Sequence, residues 1–135
     1  MDDCLFCKII KEEIPILKIY EDGYVISFLD INPATKGHTL VVPKKHVKTI
    51  DELSEKDLAN VSKGILKVSK AMLKFNEGLN IIQNNNEIAG QIVNHIHFHL
   101  IPRNSKDKGR FSWNGESYKG KVDEVTANKI KSFLR

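Results

Sequence analysis

The alternation of apolar and polar positions predicts the elements in order. Residues 4–12 read as a short helical turn that points Leu5, Phe6 and Ile9 inward. Residues 18–21 read as a strand, Asp22-Gly23 as a hairpin signal and residues 24–29 as the returning strand. A loop follows over 30–37, with Asn32-Pro33 and Gly37, and then a strand over 38–42 that Pro43 stops. Leu58, Val61, Ile65, Val68, Met72 and Phe75 recur at spacings of three and four, the stripe of a helix packed on a sheet. Ser54 caps that helix, Glu55 and Asp57 favour its first turn, and Gly78 ends it. Gly64 sits inside it at a cost in helix propensity for which the sequence shows no reason. Residues 79–83 read as a strand, 84–90 as a polar loop and 91–102 as a last strand. Residues 103–120 read as a loop or flap, and 122–134 as a terminal helix anchored by Val125, Ile130, Phe133 and Leu134. The sum is one α+β domain over residues 1–135: an antiparallel sheet of about five strands on one long helix, with short terminal helices. Its core falls within about 3–103, and 104–135 form a C-terminal loop and helix.

Composition narrows the class. A chain of 135 residues with 41% apolar and 28% charged content suits one soluble domain. No apolar run approaches the ~20 residues of a membrane helix, and no membrane association is expected. The N-terminus, MDDCLFCKIIKEE, lacks the basic start and cleavage site of a secretory signal, so a cytoplasmic location is expected. The net charge of +4 suits an anionic ligand. It is too diffuse for nucleic acid, with no markedly basic helix and 7% aromatic residues. Lys44, Lys45 and His46 form one small basic cluster.

The chemistry concentrates at His95, His97 and His99, which alternate with Ile96, Phe98 and Leu100. Strand alternation puts all three imidazoles on one face. A chance run on an exposed face is the plainer alternative. Against it, the chain has five histidines and three of them fall within five residues. Such an array offers a nucleophilic nitrogen, hydrogen-bond donors and metal ligands, and so points to an enzyme acting on an anion, a phosphate first. Cys4 and Cys7 form a C-x-x-C pair, which in a cytosolic protein favours metal or redox chemistry over a structural disulfide.

The run from His95 to Ile101 resembles the H-φ-H-φ-H-φ-φ signature of the histidine triad (HIT) family. Cys4-Leu-Phe-Cys-Lys-Ile-Ile, Phe28-Leu-Asp-Ile-Asn-Pro, Gly37-His-Thr-Leu-Val-Val-Pro-Lys-Lys-His46 and Gly90-Gln91 are similar to HIT segments in the same order, over about residues 3–103. The likeness is nearest to the compact bacterial Hit and Hint-type branch, and it implies a HIT-like fold. It also implies a hydrolase or transferase that cleaves a bond to the α-phosphate of a purine nucleoside 5'-phosphate derivative: a phosphoramidate, an acyl-adenylate or a dinucleoside polyphosphate. A weakly active purine-nucleotide-binding or scaffold protein is the alternative. Galactose-1-phosphate uridylyltransferase relatives are excluded by the short chain and by histidine, not glutamine, at position 99.

The resemblance also implies roles. His97 is the nucleophile that forms a nucleotidyl-histidine intermediate. His99 contacts the phosphate or leaving group, and His38 supports the nucleophile's ring from the neighbouring strand. Asp30 takes the ribose hydroxyls, although Asp before Asn-Pro is also an ordinary turn residue. Leu5, Phe6, Ile9, Phe28 and Ile31 wall the purine, or are simply core. Asn84, Gly90 and Gln91 form the phosphate side, with Asn85 and Asn86 as loop solvation. Cys4, Cys7, His46 and His95 resemble the zinc set of metal-containing members, a closed tetrahedral site that is structural. A redox pair or two buried cysteines are the alternatives there, and no catalytic cofactor is required. Ile92 departs from the pattern, since members often carry Ser or Thr after Gly-Gln. Members are commonly homodimers, so a homodimer is expected, with Ile65 and Leu66 widening the long helix's apolar surface.

Overall fold

In the computed structural model, which describes residues 3–107 and 124–134, Asp22 builds the first hairpin. Its carboxylate accepts from the backbone N–H groups of Tyr24 and Val25 at 2.7 and 2.9 Å, turning β1 (Lys18–Glu21) into β2 (Val25–Leu29). β2 pairs with β3 (Thr39–Pro43), β3 with β5 (Phe98–Arg103) and β5 with β4 (Gly78–Gln83), all antiparallel. The order β1-β2-β3-β5-β4 inserts the last of the described strands between two earlier ones.

Both faces of the sheet centre are covered, so β2 and β3 are largely apolar, and the buried Ser27 donates from Oγ to the Leu40 carbonyl at 2.8 Å. Val25, Val41, Phe98 and Leu100 pack on α2 (Glu55–Met72) through Val61, Val68 and Met72. Ile26, Phe28, Leu40 and Val42 point the other way and pack on Phe6 and Ile9 of α1 (Leu5–Ile10). Ser54 caps α2 as expected, its Oγ accepting from the Asp57 N–H at 3.0 Å. Gly64 now has a reason: a Cβ there would stand 2.6 Å from Val25 Cγ2, where helix and sheet meet closely.

Three expectations need correction. α2 stops at Met72 rather than near Gly78: Asn76 Nδ2 takes the Met72 carbonyl at 2.8 Å, Phe75 swings out to 77% exposure, and Gly78 already belongs to β4. The histidine strand begins at Phe98, not at 91. Upstream, Ile96 N–H bonds to the Val47 carbonyl at 2.8 Å, which draws residues 95–97 off the ladder. The terminal helix exists as α3 (Glu124–Ser132), but Val125, Ile130, Phe133 and Leu134 are exposed, and nothing among the described residues covers them. The flap expected over 103–120 lies mostly outside the described residues. No described helix is long and apolar enough to cross a membrane.

Candidate active site

A cavity of about 700 Å³ opens on the α1 face of the sheet. Leu5, Phe6 and Ile9 form one wall and Phe28, Leu40 and Val93 the floor, while Asp30, His38, His97 and His99 gather on its polar side. Leu5 faces this space rather than the core and is half exposed; Ile31 and Ile92 stand almost fully exposed at the rim. The apolar run Ile14-Pro15-Ile16-Leu17 completes the wall. It belongs to no strand or helix, and four apolar residues in a row outside an element were the signal that the sequence reading passed over.

Backbone groups set the tautomer of each buried histidine. His97 Nδ1–H donates to the His95 carbonyl at 2.7 Å, so Nε2 keeps its lone pair. The Ala34 N–H donates to His38 Nδ1 at 2.9 Å. The His38 proton therefore sits on Nε2 and is donated to His99 Nδ1, also at 2.9 Å. That leaves His99 with its N–H at Nε2. A backbone amide thus fixes, through two rings, where His99 presents a donor. His97 and His99 pack edge to face, with ring centroids 4.9 Å apart.

Burial lowers the pKa of His97, partly offset by its bond to the His95 carbonyl and the charge of Asp30. His99 falls to about 4 by burial and then by the neighbouring His97 and His38. His38 is lowered by burial, against the opposing pull of Asp30. The three rings are neutral at neutral pH. Asp30 serves two ends at once: one oxygen accepts from the Asn32 N–H at 2.9 Å, as a turn aspartate does, and the other lies 3.6 Å from His38 Nε2.

Behind this wall Cys4 Sγ, Cys7 Sγ, His46 Nδ1 and His95 Nδ1 all lie within 4.8 Å of one another. His95 Nε2–H donates to the Pro43 carbonyl at 2.7 Å, which frees Nδ1 as a ligand atom. It meets His46 Nδ1 at 3.1 Å, with Cys4 and Cys7 sulfurs at 3.4 and 3.6 Å. Two sulfurs and two imidazole nitrogens converging in this way fit a tetrahedral Zn²⁺ ion. Asp30, His38 and His99 also converge within 4.8 Å, but the Ala34 amide requires a proton on His38 Nε2. That set is a hydrogen-bond chain and not a metal site.

The loop after β4 differs from expectation. Gln91 is buried and does not line the cavity: its Oε1 accepts from the Asn86 N–H at 2.7 Å, and its Nε2 donates to the Lys48 and Val93 carbonyls at 2.8 and 3.1 Å. With these bonds made, it braces the loop instead of reaching a substrate oxygen. Asn84 also lies outside the lining; its Nδ2 donates to the Gly90 carbonyl at 3.4 Å. Gly90 does line the cavity, at φ +102°, a conformation that glycine permits. Asn85 is a tether rather than solvation, accepting from the Ile50 N–H at 2.8 Å.

A family model described as the HIT domain matches residues 11–106, a span that excludes Cys4 and Cys7. An uncharacterized HIT-like protein of Methanocaldococcus jannaschii is 50% identical over 123 residues, covering 90% of this chain and 95% of that one. An adenosine 5'-monophosphoramidase of Schizosaccharomyces pombe is 44% identical over 106 residues, 78% of each chain. The crystal structure of a HIT-family member from Bacillus subtilis superposes with a TM-score of 0.91 at 38% identity, covering 98% of both chains.

Proposed function

The chain belongs to the HIT domain family, and on that premise we propose that it is a nucleotide hydrolase or transferase acting at the α-phosphate of purine nucleoside 5'-phosphate derivatives. The observation that carries this reading is His97 itself: a neutral ring inside the cavity, its Nδ1–H held by the His95 carbonyl at 2.7 Å and its Nε2 lone pair free. Nε2 attacks the α-phosphorus, the P–N bond to His97 forms and the bond to the leaving group breaks, an amine leaving group taking the proton it needs from solvent. Water then attacks the same phosphorus. The P–N bond breaks, the nucleoside monophosphate departs, the water proton passes to solvent and His97 is neutral again. His99, held near 4, donates a hydrogen bond from Nε2 to the charge that develops; it does not give up a proton. Asp30 receives the ribose hydroxyls, and the Phe6–Phe28 wall takes the base.

The Cys4–Cys7–His46–His95 cluster would hold zinc, which leaves no open coordination position and supplies a structural cross-link rather than chemistry. β4 is an edge strand with Ile81 half exposed, which supports a homodimer; one chain's mass by light scattering would count against it.

The test is hydrolysis of adenosine 5'-phosphoramidate and of diadenosine polyphosphates by wild type and His97→Ala. The reading expects turnover to fall on the order of 10³-fold or more with AMP binding retained. A second reading, a weakly active nucleotide-binding protein, draws on Ile92, whose exposed side chain stands at the cavity rim where family members often carry a hydroxyl. Tight AMP binding without turnover in the wild type would select it.

A further inference from the structure

One turn of α1 carries two separate duties. Cys4 caps the helix and Cys7 lies within it, so both sulfurs of the metal-type cluster come from this segment. Leu5, Phe6 and Ile9, from the same six-residue helix, wall the cavity. Phe6 joins the two sites directly. Its ring centroid stands 5.8 Å from that of His95, 5.0 Å from His97 and 5.9 Å from Phe28, each edge to face. His95 joins them a second time, with Nδ1 in the cluster and its carbonyl on His97 Nδ1–H.

A helix of six residues does not hold its own shape in water, since isolated helices shorter than ~12 residues are marginal. α1 is held by tertiary anchors, the cluster at one end and the contacts of Phe6 and Ile9 with the sheet along its length. Such a segment is where local opening costs least.

We infer that occupancy of the Cys4–Cys7–His46–His95 cluster sets nucleotide affinity, because it decides whether α1 stands as the cavity wall and keeps Phe6 against His97. The inference rests on the nucleotide reading of the cavity. Two sites coupled through one two-state segment must couple reciprocally: AMP tightens Zn²⁺ binding by the same factor by which Zn²⁺ tightens AMP binding.

The experiment measures the AMP dissociation constant of the wild type with Zn²⁺, after chelation and after Zn²⁺ is returned, together with hydrogen exchange of the backbone amides. Chelation is expected to weaken AMP binding roughly 5- to 150-fold, the usual range for such coupling. Re-addition restores it. Amides of α1 lose protection, while those of β3 and β5 keep it. Cys4→Ser/Cys7→Ser is expected to match the chelated wild type and to ignore Zn²⁺. AMP bound equally with and without Zn²⁺ would overturn the coupling and leave the nucleotide site standing. AMP bound in neither state would overturn both. Equal loss of protection in α1, β3 and β5 would make the cluster a support of the whole domain and would also overturn the inference.

Discussion

His38 donates from Nε2 to Nδ1 of His99 across 2.9 Å, and it does so because the Ala34 amide occupies its other nitrogen. The consequence is a donor at His99 Nε2. Removing the relay with His38→Ala leaves His99 without a fixed tautomer or orientation. We expect kcat to fall roughly 100-fold, the scale of a misplaced group, with AMP affinity within a few-fold of wild type. Loss of affinity without loss of kcat would make His38 a binding residue instead.

The buried histidines make the fold sensitive to acid. His99 sits at about 4 against 6.5 for a free ring, and His38 and His97 move in the same direction, chiefly by burial. Between those two values the unfolded chain takes up protons that the folded rings refuse, so the rings cost stability as pH drops from about 6.5 to about 4, and their own effect levels off below. Urea midpoints across this range read the slope. His99→Asn should reduce it by up to one proton; an unchanged slope would show that His99 titrates alike in both states.

Gly64→Ala should destabilise although alanine is the better helix former. The propensity gain is about 1 kcal/mol. The new Cβ would stand 2.6 Å from Val25 Cγ2, and overpacking of this kind costs about 1–3 kcal/mol. Val25 and Gly64 are in contact, so Gly64→Ala and Val25→Ala together should lose less than the sum of the two separately by equilibrium unfolding.

Gln91→Ala should act through stability. It breaks the bonds to the Asn86 N–H and the Lys48 and Val93 carbonyls, at about 0.5–1.5 kcal/mol for each bond lost at these part-buried groups. Relative rates on amine, acyl and phosphate leaving groups should stay in the wild-type ratio. A change in that ratio would mean that Gln91 contacts the leaving group after all.

The pattern of residues determined a good deal of this protein. The Ser54 cap, the α2 stripe through Met72, the Asp22-Gly23 hairpin and the strands read at 18–21, 24–29 and 38–42 are legible to within a residue, except that Pro43 pairs with Val25 inside β3 instead of stopping it, because each rests on local periodicity or on turn chemistry, which neighbours in sequence decide. The histidine spacing led to the candidate site, although of the three only His99 lies on a strand. Phe75 and the expected anchors of α3 stay exposed because the periodicity runs on where no surface among the described residues covers it.

Tertiary structure decided how the site is wired. Placing β5 beside β3 joins His38 to His99 across 61 positions, and folding α1 under the sheet joins Cys7 to His95 across 88. The tautomers depend on the Ala34 amide and the carbonyls of Pro43 and His95. Every residue carries such groups, so no pattern of side chains reveals which of them will meet a ring. Gly64 is explained in the same way, by a methyl group on β2 that only packing brings within 2.6 Å of where a Cβ would stand. Local chemistry is written along the chain, but the partners of buried polar atoms depend on which distant segments the burial of two apolar cores brings together.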